Sequence, residues 1–246
     1  IDDQHGWAVG ALGTILATED GERSWRRQRS GGTRAALLAI FSQPEDVPLE
    51  LLAKLSGNEG YLAVVEVLGR RDVETPSGGR AHSDDRLHEA VVGVGACGAE
   101  TAWRFPLRPA GLGLPTRQII EGWNQANDGR GLDYLEARLV RQIRLWRPEV
   151  VVTHDASPRG DDPLGHLVDQ AVLQAVERAA DATSYVDQLT YAGLGPWSVK
   201  KVYASLGPQS GGEVDLTTAQ LAPRLGRSLA DACAGSRGLL AEQFSA

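Results

Sequence analysis

Apolar runs alternate with amphipathic segments along most of this chain. A continuous apolar run of strand length occupies residues 35–41, and mostly apolar runs of similar length occupy residues 61–68 and 149–153. Such runs are typical of strands covered on both faces. Between the second and third runs, apolar residues recur every three or four positions from Leu132 to Trp146, which predicts an amphipathic helix. The pattern therefore predicts strands and helices in alternation.

The remaining segments extend this alternation. The same reasoning predicts helices at 49–55, 84–94, 167–180 and 217–233, an edge strand at 101–107, a last strand at 199–204, and a long loop with one short helix at 109–131. Strands separated by helices favour a mostly parallel sheet with helices on its faces. We therefore predict an α/β fold, Rossmann-like, with a short β segment at the N-terminus.

The first thirty residues follow a different pattern. Residues 6–10 and 13–18 are two short β-like runs, and the turn after them leads to Trp25. Residues 18–25 resemble the Asp-box hairpin of BNR-type β-propeller repeats, in which Asp20 would close the turn and Trp25 would pack beneath it, although Glu22 replaces the usual glycine. This resemblance makes Asp20 a structural turn residue rather than a sugar ligand.

A single hairpin of this kind is too little for a propeller, which needs about four to eight blades. The sequence also contains no methionine. We therefore expect the chain to be part of a longer polypeptide, with further propeller blades upstream. The predicted organisation is a β-hairpin remnant and linker at 1–32, the α/β domain at 33–206 and a helical extension at 207–246.

Composition excludes several classes of function. The 25 Lys and Arg residues are outnumbered by 32 Asp and Glu, for a net charge of −7, which is the wrong sign for a protein that neutralises phosphates of nucleic acid. No apolar run is long enough to span a bilayer. Cys97 and Cys233 are too few for a disulfide scaffold or a thiolate zinc site. The sequence does not indicate a cellular compartment.

Polar residues follow the three predicted buried strands. Residues 42–46 follow the first, Arg70 and Arg71 follow the second, and His154 and Asp155 follow the third. In α/β sheets, ligands bind beyond the carboxyl ends of the strands. We therefore predict one cleft at this edge, rich in carboxylates, histidines and arginines.

The motifs at these positions resemble those of the PIG-L/LmbE family of zinc-dependent N-acetyl-sugar deacetylases. Residues 43–47 (QPEDV) stand where the family has His-Pro-Asp-Asp-Glu, residues 86–89 (RLHE) match its Arg-x-x-Glu helix, and residues 166–169 (HLVD) match its His-x-Asp-His motif. Residues 147–155 (RPEVVVTHD) are similar to the strand that leads into the catalytic loop. The resemblance implies a Rossmann-like fold and an amide hydrolase acting on GlcNAc-type conjugates.

The resemblance also assigns roles, position by position. The metal ligands would be Gln43, Asp46 and Asp169. Glu45 would be the base that activates a metal-bound water, and His166 would help to stabilise the oxyanion. Contacts with polar or anionic parts of the substrate are predicted for five residues: Arg70, Arg71, Arg86, His154 and Asp155. Additional metal ligands could come from His154, Asp155, Asp161 or Asp162.

Two of these positions depart from the family pattern in a way that alters the metal chemistry. Gln43 and Asp169 replace imidazole ligands, and Val168 replaces the aspartate that would orient His166. Zinc favours nitrogen and sulfur ligands, whereas oxygen ligands suit magnesium, manganese or calcium. The resemblance therefore implies zinc as the cofactor. The oxygen donors at these positions instead favour a harder divalent ion, or no metal.

Two functions remain open from the sequence. One is a metal-dependent hydrolase that removes acetyl groups from N-acetyl-sugar conjugates. The other is a catalytically inactive relative that serves as a binding or interaction domain of a larger propeller-containing protein. Simpler explanations exist for single residues, because Glu45 and Asp46 also suit a helix start, and Arg86 with Glu89 is also an ordinary helical pair.

Overall fold

The computed structural model describes residues 3–9, 15–21, 23–29, 34–69, 72–74, 80–102, 104–105, 115–155, 163–206 and 211–241. The chain divides into two compact units, Ile1–Arg34 and Ala35–Ala246. The predicted site residues Arg70, Arg71, Asp161 and Asp162 lie outside the described residues.

The Ile1–Arg34 unit contains an antiparallel sheet of three strands, β1 (Gly6–Val9), β2 (Ile15–Thr18) and β3 (Arg26–Arg29), in that order. Asp20 closes the turn after β2. Its carboxylate accepts hydrogen bonds from the Ser24 amide at 2.9 Å, the Ser24 hydroxyl at 2.5 Å and the Thr18 hydroxyl at 2.8 Å. These bonds, led by that from the Ser24 hydroxyl, lower the pKa of Asp20 to about 2.

The Ala35–Ala246 unit is built on a parallel sheet of five strands. The strands are β4 (Leu37–Phe41), β5 (Ala63–Val67), β8 (Gly98–Thr101), β9 (Val150–Thr153) and β10 (Lys201–Ala204). They are ordered β10-β9-β4-β5-β8, and all four pairings are parallel. The predicted α/β fold with a mostly parallel sheet is therefore confirmed. Two small hairpins accompany it: β6 (Asp72–Glu74) with β7 (Arg80–His82), and β11 (Leu221–Ala222) with β12 (Arg227–Ser228).

Helices cover both faces of this sheet. They are α1 (Leu49–Leu52), α2 (Ser83–Gly93), α3 (Thr116–Ala126), α4 (Gly131–Trp146), α5 (Pro163–Ala180), α6 (Val186–Thr190) and α7 (Leu229–Leu240). Alternate residues of β4 enter opposite cores: Leu37, Ala39 and Phe41 pack with α1, α2 and α7, whereas Leu38 and Ile40 pack with α3, α4 and α5. This two-sided burial explains the continuous apolar runs. None of the helices in the described part is long and apolar enough to cross a membrane.

Two predicted elements are wrong in their positions. The edge strand predicted at 101–107 is β8, which ends at Thr101 where its pairing with Val67 ends, and Phe105 packs against the Trp123 ring instead. The helix predicted at 217–233 begins only at Leu229. Its sequence is interrupted by Pro223, which lacks an amide donor, and by the β11–β12 turn, which needs the positive φ of 66° at Gly226.

Helix α1 continues into a π-helical turn, Ala53–Asn58, that packs against the loop between α2 and β8. The two backbones touch at Gly57 and Gly95. A Cβ atom added at Gly57 would lie 2.6 Å from the carbonyl oxygen of Val94, and one added at Gly95 would lie 2.5 Å from the Cα of Gly57. Gly95 also has a φ of +100°. Only glycine fits both positions without movement of the backbone.

Arg144 of α4 is a charged residue inside the core, with 1% of its surface exposed. Its guanidinium group donates hydrogen bonds at 2.8–3.3 Å to backbone carbonyl groups at and beyond the C-terminal end of α5, those of Arg178, Ala179, Asp181, Ser184 and Tyr185. Burial lowers the pKa of Arg144. The carbonyl groups of a helix end have no partner within the helix, so Arg144 joins α4 to the end of α5.

Candidate functional site

The adjacent strands β4 and β9 end side by side and carry polar residues directly after their last apolar positions. Ser42 follows β4, Thr153 ends β9, and His154 comes next. The first two turns of α5 add His166 and Asp169. We call Ser42, Asp46, Thr153, His154, His166 and Asp169 the strand-end cluster.

The centre of the cluster is a hydrogen bond between the two strand ends. The backbone N–H of Ser42 donates to Nε2 of His154 at 2.8 Å. Because Nε2 accepts this bond, it carries no proton, and the neutral ring holds its proton on Nδ1. Both residues are buried, and the His154 ring also meets the Phe41 ring edge to face, with centroids 5.0 Å apart.

Asp46 lies beside this pair, at the end of a 3₁₀ turn, Pro44–Asp46. Its Oδ2 atom accepts a hydrogen bond from the Ser42 hydroxyl at 3.0 Å and lies 3.8 Å from Nε2 of His154. Ser42 thus binds a residue of each loop, His154 through its amide and Asp46 through its hydroxyl. The bond from the Ser42 amide to His154 links the two loops directly, and the bond from the Ser42 hydroxyl to Asp46 lies within the first loop.

Asp169 is a buried carboxyl group of the cluster, with 2% of its surface exposed. Gln170 donates a hydrogen bond to it at 3.2 Å. Burial nevertheless raises the pKa of Asp169 above its ordinary value, against the opposing effects of this bond and of His166 nearby; Asp155 also raises it. The buried position of Asp169 therefore disfavours its charged form.

Two polar atoms of the cluster are buried without a partner. Nδ1 of His166 and Oγ1 of Thr153 make no hydrogen bond with any residue that the structure describes. A buried polar group without a partner costs about 1–3 kcal/mol, so such atoms mark places where a ligand or water is accommodated. Sequence reasoning assigned no role to Thr153 or Ser42, although a hydroxyl residue that ends or directly follows an apolar strand is a usable signal.

The other predicted site residues that the structure describes lie on the 3₁₀ turn, beside His154 and on α2. Gln43 is half-buried at the start of the 3₁₀ turn, and Glu45 is exposed on it. Asp155 is half-buried beside His154. Arg86 is half-buried on α2, and no hydrogen bond or ion pair links it to the other site residues that the structure describes. The roles predicted for these four residues remain predictions.

The cluster is a poor fit for a zinc ion. The lone pair of His154 Nε2 is occupied by the Ser42 amide, and the three aligned ligand positions, Gln43, Asp46 and Asp169, provide only an amide and two carboxylates. Zinc sites in proteins favour imidazole and thiolate ligands. Within the described ranges, no three His, Cys, Asp or Glu side chains are grouped closely enough to hold a metal ion.

Comparisons with known proteins support the fold. No protein-family model and no curated protein matches the chain. Among solved structures, the conserved protein TT1542 from Thermus thermophilus has a TM-score of 0.52 at 17% identity, over 85% of this chain and 80% of that one. The N,N'-diacetylchitobiose deacetylase from Pyrococcus horikoshii, complexed with its inhibitor MPG, has a TM-score of 0.54 at 15% identity, over 85% and 70%. The chain therefore has an LmbE-like α/β fold.

Proposed function

We propose that the Ala35–Ala246 unit binds an N-acetyl-sugar conjugate at the strand-end cluster and does not hydrolyse it by zinc chemistry. The observation that carries this proposal is the hydrogen bond from the Ser42 amide to Nε2 of His154. It commits the lone pair of a buried imidazole to the protein backbone. With Gln43, Asp46 and Asp169 at the three aligned ligand positions, those positions lack the imidazole and thiolate donors that zinc favours.

The class of ligand follows from the polar groups of the cluster and from the fold. Carboxylates such as those of Asp46 and Asp169 accept hydrogen bonds from sugar hydroxyl groups, and the hydroxyl of Thr153 both donates and accepts. Nδ1 of His166 and Oγ1 of Thr153 offer buried hydrogen-bonding capacity to a ligand. The similarity to a diacetylchitobiose deacetylase favours an N-acetyl sugar among polar ligands.

The competing function is metal-dependent deacetylation, with Glu45 as the base. It requires that an ion with a preference for oxygen ligands binds near Asp46 and Asp169, and that acetate is released. Both requirements can be measured on the purified protein.

The first experiment measures binding of N,N'-diacetylchitobiose by calorimetry, together with metal content and acetate release. We expect binding by the wild-type protein, less than stoichiometric zinc after purification without chelator, and no acetate release with added zinc, manganese or magnesium. Thr153→Val removes one hydroxyl from the cluster at constant shape and should weaken binding about tenfold, the value of one hydrogen bond of about 1.4 kcal/mol.

Ser56→Ala is the matched control. The hydroxyl of Ser56 is also buried without a partner among the described residues, but it lies in the π-helical turn, outside the strand-end cluster, so its removal should leave binding unchanged. Equal loss in both variants, or no binding by the wild type, would contradict the proposal. Stoichiometric metal with acetate release that disappears in Glu45→Gln would establish the competing function instead.

A further inference from the structure

A cleft lies at the β8 edge of the sheet, apart from the strand-end cluster. It has a volume of about 370 Å³ and lies between the residues after β8, helix α4 and helix α6. The buried residues Ala102 and Phe105 provide apolar wall, and Tyr134 provides an aromatic ring. The cleft shares no residue with the strand-end cluster, and β5 separates β8 from β4 in the sheet.

Three arginines line this cleft, Arg104, Arg138 and Arg141. Their convergence contrasts with the net charge of −7 of the whole chain. Arg141 is exposed and makes no ion pair with any described residue. Guanidinium groups bind carboxylates and phosphates through paired, parallel hydrogen bonds, so the cleft has the chemistry of an anion site.

Two of the three arginines, Arg104 and Arg138, are held in position by neighbouring side chains. Arg104 lies over the Tyr134 ring, 5.2 Å from its centroid. Arg138 donates from Nε to the buried carboxylate of Glu66 and lies 3.8 Å from Glu100. An arginine held by a ring or by a buried carboxylate loses less conformational freedom when a ligand binds, which favours affinity.

We propose that this cleft binds an anionic small molecule, one that carries a phosphate or carboxylate group on a ring. The anion would contact Arg104 and Arg141, with Arg138 adding positive charge from the wall, and the ring would pack against Tyr134, the half-buried aromatic residue of the lining. Aromatic and apolar walls with a few convergent polar groups are typical of small-molecule sites. This inference is independent of the function proposed for the strand-end cluster.

Glu66 gives the cleft a second testable property. The charged or polar groups that face it are Arg138 and Gln142 of α4 and Glu100 of β8. Burial raises the pKa of Glu66 to about 7, against the opposing effect of Arg138. When Glu66 is protonated it no longer neutralises Arg138, so an anion should bind more tightly at pH 6 than at pH 8.

The test uses the whole chain and four probes: glucose 6-phosphate, glucuronate, inorganic phosphate and neutral glucose. We expect both sugar anions to bind more tightly than inorganic phosphate, and glucose not to bind. The double variant Arg104→Gln with Arg141→Gln should weaken binding of the sugar anions at least tenfold. Glucuronate is also the probe for pH, because its charge is constant between pH 6 and pH 8.

Arg227→Gln is the control, since Arg227 is an exposed arginine on β12 and its removal should leave anion binding unchanged. Thermal unfolding confirms that each variant is folded. Absence of binding by both sugar anions, or equal affinity in the wild type and the double variant, would overturn the proposal. Binding of diacetylchitobiose by the double variant should equal that of the wild type, which separates failure of this proposal from failure of the first.

Discussion

Arg144 and the strand-end cluster are both polar and buried, but they differ in how completely the protein satisfies them. Arg144 donates to five backbone carbonyl groups at and beyond the end of α5. In the cluster, Asp169 accepts one described hydrogen bond, from its neighbour Gln170, and His166 and Thr153 each hold a buried atom without a described partner.

The difference separates structural from functional burial. A buried charge with all its hydrogen bonds made within the protein contributes to stability and leaves nothing for a ligand. A buried polar group with capacity left over weakens the fold and offers binding energy to another molecule. We therefore expect substitution of Arg144 to cause a large loss of stability, and substitutions in the strand-end cluster to cause a loss of ligand binding.

The largest expected effect is that of Arg144→Met. Methionine keeps much of the apolar length but removes the donors, leaving several buried carbonyl groups unsatisfied at about 1–3 kcal/mol each. We expect the free energy of unfolding to fall by about 3 kcal/mol or more, measured by urea denaturation. Arg141→Met, an exposed change on the same helix, should alter it by less than about 0.5 kcal/mol. Similar effects of the two variants would remove the basis of the comparison.

Glu66 is intermediate between Arg144 and the strand-end cluster. Its buried carboxyl group is bonded to Arg138 and Gln142, but burial still makes its ionised form costly. Its pKa of about 7 in the folded protein exceeds the ordinary value of 4.5. Between pH 4.5 and pH 7, Glu66 keeps its proton in the folded state and loses it in the unfolded state. The free energy of unfolding therefore falls as pH rises through this range, and this effect is complete above pH 7. The pKa shift of Glu66 corresponds to about 3 kcal/mol in the free energy of unfolding.

The measurement for Glu66 is chemical denaturation of the wild type and Glu66→Gln across this pH range. The variant lacks the titrating group, so the difference between the two proteins isolates its contribution from those of other carboxyl groups. We expect the wild type to lose about 3 kcal/mol relative to the variant between pH 4.5 and pH 7. A difference that does not change with pH would show that Glu66 has the same pKa in the folded and unfolded states.

A smaller effect is expected for His154→Leu. This change removes the acceptor of the buried Ser42 amide and should lower the free energy of unfolding by about 2 kcal/mol, within the usual cost of a buried donor without a partner. His154→Gln keeps an acceptor and should lose less. If both variants are equally destabilised, packing of the ring against Phe41 is more important than the hydrogen bond.

The smallest effect on stability is expected for Asp169→Asn. Asparagine keeps the shape and removes a negative charge that burial disfavours, so the free energy of unfolding should change by less than about 1 kcal/mol. Binding of diacetylchitobiose should nevertheless fall, as measured by calorimetry. A loss of stability as large as that of Arg144→Met would show that the cluster is structural.

Local pattern was sufficient for most of the fold. The run of residues 35–41 contains β4, and the helix expected from Leu132 to Trp146 is α4. A strand buried on both faces is apolar throughout, whereas a helix buried on one face has apolar residues every three or four positions, so the two are distinguishable in the sequence. Prediction failed at 217–233, where composition suits a helix but Pro223 and Gly226 impose a turn.

The place of the site was predictable, but its internal bonding was not. Asp46, His154, His166 and Asp169 were expected at the carboxyl edge of the sheet because parallel strands end there together. The bond between Ser42 and His154 joins residues 112 positions apart. It depends on how two loops meet, which neither residue type nor spacing specifies. The cleft at the β8 edge likewise depends on how separate segments pack, and its arginines form no motif in the sequence.

The contact between Gly57 and Gly95 also has a consequence for mutational tolerance. If every position of the chain were randomised and folded variants were selected, a side chain at either glycine would have to displace the main chain of the other segment. We expect both positions to accept almost no substitution, in contrast to exposed Gly122, where an added Cβ would meet no atom within 4 Å.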